Sequence, residues 1–257
     1  MQWIKGDGLE QVQQCLAERI PVIGGGTWLL SDGAYPPRVL DLREYSWAQG
    51  ITFHDNGWLI GPDVTLSQWA QVLDHDSVIL EVIRHMGSPV FRRVATVVGA
   101  IANPQPASDL YTVLRLWGAE IFFIDSREDN IQREKLLWPF YGEPRAIVGV
   151  EVPIKPNYGT LFFRKYAKGR MTRVLLTLGA KFSCPQNILT AQFVIGGLSV
   201  WPYEVSVKGP SPTIGQQIFQ RLSDQQNIIP FYQALIREMS ESMVEQWERG
   251  RDRRRNV

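Results

Sequence analysis

The chain has 257 residues, with 27 Lys and Arg against 26 Asp and Glu, a formal charge of +1. Such near-neutrality gives no basis for bulk binding to nucleic acid or to an anionic membrane, which need an excess of basic charge. Hydrophobic residues make up 44% and charged residues 21%, enough to build a packed core and too apolar for a disordered chain.

Two cysteines, Cys15 and Cys184, are too few for a disulfide framework, a Cys-rich zinc site or an iron–sulfur cluster held by this chain alone. Both are expected as buried thiols in a reducing cytoplasm. The stretch Met1 to Asp7 is not a basic region followed by an apolar one, and no apolar run reaches the roughly 18 residues of a membrane span. The reading is a cytoplasmic protein without direct membrane insertion.

In chain order, Leu9, Val12, Leu16 and Ala17 recur at helical spacing and predict a helix over Leu9 to Arg19. Ile20 to Ile23 is a short strand that ends in three glycines. Val39 to Leu42 and Trp58 to Gly61 read as further strands, the latter introduced by the turn formers Asp55, Asn56 and Gly57. Thr65 suits an N-cap for Leu66 to Leu73. Ser77 to Met86 reads as a buried helix, Val94 to Ala102 as a long apolar and small-residue stretch, Asn103 to Pro106 as a loop that cannot be regular helix, and Asp109 as the N-cap of Leu110 to Trp117. Ala119 to Ile124 is a strand, Asp125 to Lys135 a charged surface excursion, and Ala146 to Pro153 a strand closed by prolines that suggest a lobe boundary near 154–160. Three strands follow, Thr160 to Tyr166, Leu175 to Phe182 and Thr190 to Gly197, as a meander packed by helices at Ser211 to Leu222 and Phe231 to Glu248. The class is α+β, and Arg249 to Val257 reads as a solvated, disordered basic end.

Gly24-Gly25-Gly26-Thr27 directly after a strand is the first constellation with a mechanism. Glycines lack a Cβ, so consecutive backbone N–H groups can converge on one anion and the threonine hydroxyl can add a donor. A second small-residue loop, Ala95 to Asn103, lies about 70 residues further on and leads to Asp109. Two such loops can grip a diphosphate from both sides, leaving Asp109 to accept from ribose hydroxyls. His54, His75 and His85 are scattered without metal-ligand spacing, and Ser31 and Ser88 lack the setting of a nucleophile. Trp28, Trp117 and Trp138 could face a ligand or a partner, with core packing the favoured role.

These residues carry a resemblance to the FAD-binding medium subunit of the molybdenum hydroxylases, of the xanthine dehydrogenase and carbon monoxide dehydrogenase type. The family's first loop, Ala-Gly-Gly-Thr-Asp, is met by Gly24-Gly25-Gly26-Thr27-Trp28, and its Ile-Gly-Ala-x-x-Thr-Leu segment by Ile60 to Leu66. Its second loop, which begins Arg-Asn-x-Ala-Thr-Ile-Gly-Gly-Asn and ends in Asp, is met by the run from Arg92 to Asp109, in the same order and spacing. Phe163-Arg164-Lys165-Tyr166 resembles the family's entry to its C-terminal domain, and Phe193 to Gly197 with Pro202 a glycine hairpin there.

The resemblance implies the two-lobed FAD-binding fold of the vanillyl-alcohol oxidase and p-cresol methylhydroxylase type, followed by an α+β C-terminal domain. Residues 1–55 and 56–157 would be the two lobes, 158–248 the C-terminal domain and 249–257 the basic tail. It implies that Val22, Ile23, Gly24, Gly25, Gly26, Thr27, Trp28 and Leu29, with Thr96, Val97, Val98, Gly99 and Ala100, hold the FAD diphosphate. Asp109 would serve the ribose region, and Ile147 and Lys165 the flavin side. The implied role is an electron-transfer flavoprotein subunit that passes electrons from iron–sulfur clusters on a partner chain through FAD to a final acceptor, beside a molybdopterin-binding subunit. Two departures stand out. Val98 and Ala100 replace a glycine and an asparagine, and a β-branched residue at a positive-φ position would cost about 1 kcal/mol or more. That motivates the alternative of a flavin-free structural or assembly subunit.

Overall fold

The computed structural model describes the chain except for residues 32, 34, 55–56, 103–104, 106, 128–129, 137–143, 156–158, 169–173, 186–187, 200–201, 225–227 and 256–257. It forms two compact units, one from Met1–Pro104 with Trp117–Lys155 and the other from Gln105–Leu116 with Pro156–Val257. Among the described residues no helix is long and apolar enough to cross a membrane.

The first unit holds two sheets. Strands β1 (Gln2–Lys5), β2 (Val22–Ile23) and β3 (Arg38–Asp41) form a parallel sheet in the order β1-β3-β2. Helix α1 (Leu9–Ala17) makes the crossover from β1 to β2 and buries Val12, Cys15 and Leu16. Its apolar stripe meets Leu40, Leu42, Ile124, Ala146 and Val148 in one core, as the spacing of its apolar residues requires.

The second sheet is antiparallel throughout. Strands β4 (Ile51–His54), β5 (Gly57–Ile60), β6 (Glu120–Asp125), β7 (Gln132–Lys135) and β8 (Arg145–Pro153) lie in the order β4-β5-β8-β6-β7. Between β5 and β6 the chain forms α2 (Leu66–Val72), α3 (Val78–Arg84), α4 (Pro89–Val94) and α5 (Val97–Ala102) within this unit. Thr65 caps α2 with a complete capping box, its hydroxyl accepting from the Gln68 N–H at 3.2 Å while the Gln68 side chain accepts from the Thr65 N–H at 2.8 Å.

The second unit is a four-stranded meander, β9 (Thr160–Ala167), β10 (Val174–Ser183), β11 (Thr190–Gly196) and β12 (Tyr203–Lys208), each antiparallel to the next. One face carries Leu176, Leu178, Phe182 and Phe193 into a core with Ile214, Ile218, Met243 and Trp247, which belong to α7 (Ser211–Ser223) and α8 (Pro230–Arg255). Residues 109–116 of helix α6 (Asp109–Trp117) lie against the opposite face. Gly179 of β10 makes room for it: a Cβ there would stand 2.6 Å from Leu116 Cδ1 and 2.8 Å from Thr112 Cγ2.

Several sequence expectations are corrected. The small-residue loop read at Ala95 to Asn103 is mostly helix, because α5 spans Val97–Ala102, while residues 103, 104 and 106 of the loop read at 103–106 lie outside the described residues. Asp109 is not the N-cap of α6 but its first residue; the Ser108 hydroxyl accepts from the Tyr111 N–H at 3.3 Å. The excursion at 125–135 ends in β7, an edge strand whose Glu134 pairs with Arg145 at 2.8 Å. The sequence reading assigned no element to β1, β4, β12 or α4, although the alternation Tyr203-Glu204-Val205-Ser206-Val207-Lys208 marks a half-buried strand and Ser88-Pro89 a helix start. The basic end is helical to Arg255. Arg249 pairs with Glu245 one turn back at 3.2 Å and Arg251 lies over the Trp247 ring, while cations suit the negative end of a helix dipole.

Candidate functional site

Strand β2 ends at Ile23 and delivers the glycine loop to the side of the second motif. A Cβ on Gly24 would sit 2.6 Å from Thr96 Oγ1, and one on Gly25 only 1.9 Å from the Val94 carbonyl oxygen. Gly26 has φ +69°, the left-handed region that favours glycine. Glycine is therefore required by packing and backbone shape at successive positions. Among the described residues the backbone N–H groups of Gly24, Gly25, Gly26 and Thr27 donate to no protein acceptor. Beyond them the chain turns back on itself, with the Leu30 N–H donating to the Gly26 carbonyl at 3.0 Å, and leaves Trp28 exposed. Four successive amides without an acceptor among the described residues have the form of an anion cradle.

The second motif is clamped from the other side. The Leu66 N–H donates to the Ala95 carbonyl and the Val97 N–H to the Val64 carbonyl, both at 2.9 Å, so that Thr65 and Thr96 form a bridge. Thr96 is buried, and its hydroxyl accepts from the Gly99 N–H at 3.1 Å while its carbonyl accepts from the Ala100 N–H at 3.0 Å. Val98 therefore keeps an amide that has no acceptor among the described residues. The residue is buried, 5% exposed. The only non-glycine residue with positive φ among those described is Arg19, so the strain expected at Val98 is absent. Gly99 serves the cap: a Cβ there would stand 2.8 Å from Thr96 Oγ1.

Asp109 and Lys165, read in the sequence as serving different parts of a ligand, form one ion pair in the second unit, with Lys165 Nζ donating to Asp109 Oδ2 at 2.6 Å. The carboxylate side chain is 6% exposed and the lysine side chain 25%. Helix α6 is tied down along its length by the Thr112 and Thr177 hydroxyls at 3.0 Å and by Arg115, which donates to both Glu204 carboxylate oxygens at 2.7 and 3.0 Å. The sequence reading missed Thr177, Gly179 and Glu204, and no short-range signal marks them. Ile147 is buried on β8 of the first unit, opposite Phe123 just past a bulge.

Other candidates resolve into structural parts. Ser88 caps α4, its hydroxyl accepting from the Phe91 N–H at 3.1 Å, and the Ser31 hydroxyl donates to the Trp28 carbonyl at 2.7 Å. Trp117 is buried and donates through Nε1 to the Pro153 carbonyl at 2.7 Å. Trp138 lies outside the described residues. Burial pushes the Cys15 thiol above its ordinary range, and the nearby Glu18 adds to this, which keeps it from being a ready thiolate ligand.

A family model described as the FAD binding domain in molybdopterin dehydrogenase matches residues 1–153. Among solved structures, the chain is similar to one in the quinoline 2-oxidoreductase of Pseudomonas putida 86, at 18% identity and a TM-score of 0.76 over 97% of both chains. It is also similar to a chain of a Cu,Mo-CO dehydrogenase, at 13% identity and a TM-score of 0.69 over 97% of this chain and 96% of that one. A third likeness is to carbon monoxide dehydrogenase from Hydrogenophaga pseudoflava, at 12% identity and a TM-score of 0.70 with the same coverage. At these identities the likeness establishes the fold. No curated protein matches in sequence.

Proposed function

Because the chain belongs to the family of FAD-binding domains in molybdopterin dehydrogenases, we propose that it is the electron-transfer flavoprotein subunit of a molybdenum hydroxylase-type complex. The observation that carries the reading is the run of open amides from Gly24 to Thr27 set against the capped turn at Thr96. FAD supplies, when bound, the redox chemistry that no side chain of this protein has.

The chain's own residues bind and orient. The amides of Gly24 to Thr27, with the Thr27 hydroxyl and the Val98 N–H, donate to the diphosphate. Val22, Ile23, Trp28 and Leu29 frame that loop, and Thr96, Val97, Gly99 and Ala100 hold the opposing turn in shape. Ile147, on β8 of the same unit, serves the flavin side. The family membership and the free amides fit together, and the regular helix at Val98 removes the motive for a flavin-free scaffold.

Among the described residues no three His, Cys, Asp or Glu side chains come together to hold a metal, and two cysteines fall short of the four thiolates of a common cluster, so the clusters and the molybdenum cofactor are assigned to partner chains, an iron–sulfur subunit and a molybdopterin-binding subunit. The free thiols Cys15 and Cys184 suit the reducing cytoplasm. Purification of the chain with its associated proteins, followed by flavin, iron and molybdenum analysis, tests this. A yellow complex with FAD on this chain is expected; a chain that stays alone and colourless after exposure to FAD overturns it.

A further inference from the structure

Helix α4 of the first unit buries none of its residues. Six residues are too few to hold a helix by themselves, and the chain fastens this one without a core. The Ser88 hydroxyl caps its start, Pro89 is its first residue, and at its end the Ala95 N–H donates to the Phe91 carbonyl at 2.8 Å. Arg92 reaches back and donates to the Met86 and Gly87 carbonyls at 3.1 and 2.8 Å. Gly87, with φ +55°, admits the Phe91 ring, since a Cβ there would stand 2.8 Å from its Cδ1. Held in this way, the helix presents Val90 and Val94, four residues apart, at 69% and 47% exposure, with Phe91 to one side and Arg93 to the other. Val72, which ends the neighbouring α2, adds a further exposed apolar side chain. The charge of this face is one-sided. From Val78 to Val94 the chain has three arginines and one acidic residue, Glu81. Arg84 and Arg93 are exposed and form no ion pair among the described residues.

We propose that the outer face of α4 docks a second, different protein whose contact surface has an apolar centre bordered by carboxylates. Burial of Val90, Phe91 and Val94 supplies the attraction, and carboxylates facing Arg84 and Arg93 fix the partner's orientation. A second copy of this chain does not suit the face. It is one short helix, so a two-fold axis that buried it on both copies would bring Arg84 and Arg93 close to their own counterparts. An anionic membrane does not suit it either, because three apolar side chains on six residues bury little and a whole-chain charge of +1 adds little attraction. The Val94 carbonyl lies against Gly25, so the docking face adjoins the glycine loop. This docking goes beyond the FAD reading and does not depend on it.

Photo-crosslinking of the full chain in its own cells tests this. Val90→p-benzoylphenylalanine places the reactive group at the centre of the face, and the cross-linked peptides are identified by mass spectrometry. The expected product joins position 90 to a different protein, at a segment where Asp or Glu stands among apolar residues. In the same background Arg93→Glu is expected to cut the cross-link yield about tenfold, and Arg93→Lys to keep it within about twofold. Both positions are exposed, so the urea midpoints of all variants are expected to match. A product joining two copies of this chain, a lipid adduct, a segment without carboxylates, no product at all, or a yield untouched by Arg93→Glu overturns the proposal. The flavin content of the same preparations reads the cofactor proposal separately.

Discussion

Gly25 and Val94 approach so closely that a Cβ on the glycine would stand 1.9 Å from the valine carbonyl oxygen. The contact is with backbone, so no side-chain rotation can relieve it. Gly25→Ala is therefore expected to destabilise the protein by about 1–3 kcal/mol and to strip flavin from the purified chain. Urea unfolding and the visible flavin absorption of the variant check both parts. Retention of full flavin content with unchanged stability would show that the two motifs are not packed as described.

Val98 gives the opposite prediction from the one its place in the motif suggests. Its backbone is helical and its side chain buried. Restoring the family's glycine by Val98→Gly removes buried apolar surface and adds backbone freedom inside a helix, together costing about 2–4 kcal/mol. FAD affinity is expected to stay the same or fall. A tighter FAD complex with no loss in the unfolding midpoint is the result that would reverse this account.

Gly179→Ala tests the seat of α6. The added methyl would meet Leu116 at 2.6 Å and Thr112 at 2.8 Å, both side-chain ends, so the helix can shift at a cost of about 1–3 kcal/mol. Hydrogen exchange should speed up along 109–116 while the β10–β11 ladder stays protected. Equal protection of α6 in variant and wild type would mean that the space at Gly179 does not set the helix position.

Asp41 governs an acid transition at the end of β3. Burial pushes its carboxyl up, but hydrogen bonds from the Arg43 side chain and backbone N–H, aided by that guanidinium's charge and by Lys5, outweigh it and hold the group below its ordinary range. Protons then bind the unfolded chain more readily than the folded one. The stabilisation is complete above the unfolded value of about 3.9 and is lost as the pH falls through the lower folded value. Asp41→Asn should lower stability at neutral pH and flatten the acid limb, read from denaturant midpoints between about pH 6 and about pH 3. A variant whose midpoint falls with acid as steeply as the wild type's would assign the limb to other carboxylates.

Much of this protein is readable from short stretches of chain. Thr65 with Gln68 three positions on writes a capping box that forms as read, because both partners lie within one helical turn. The glycines after β2 are legible because an open, left-handed backbone with free amides demands them locally. The order of motifs from Gly24 to Asp109 was enough to identify the family. Strands with a run of apolar residues, such as β8 and β10, declare themselves for the same reason. β1 and β7, only four residues each and β7 wholly polar, exist because a neighbouring strand supplies their hydrogen bonds.

The site was legible in its parts and not in its connections. The local pattern around Val98 could not reveal that Thr96 turns its hydroxyl inward to cap a helix, since that depends on Val64 and Leu66 holding the turn from outside. Asp109 and Lys165 are 56 positions apart, and Thr112 and Thr177 are 65 apart. Backbone preference and hydrophobic spacing act over a few residues, so they name helices, turns and a family's loops. Which carboxylate meets which ammonium depends on how closely a helix can settle on a sheet, and here that rests on the missing side chain of Gly179.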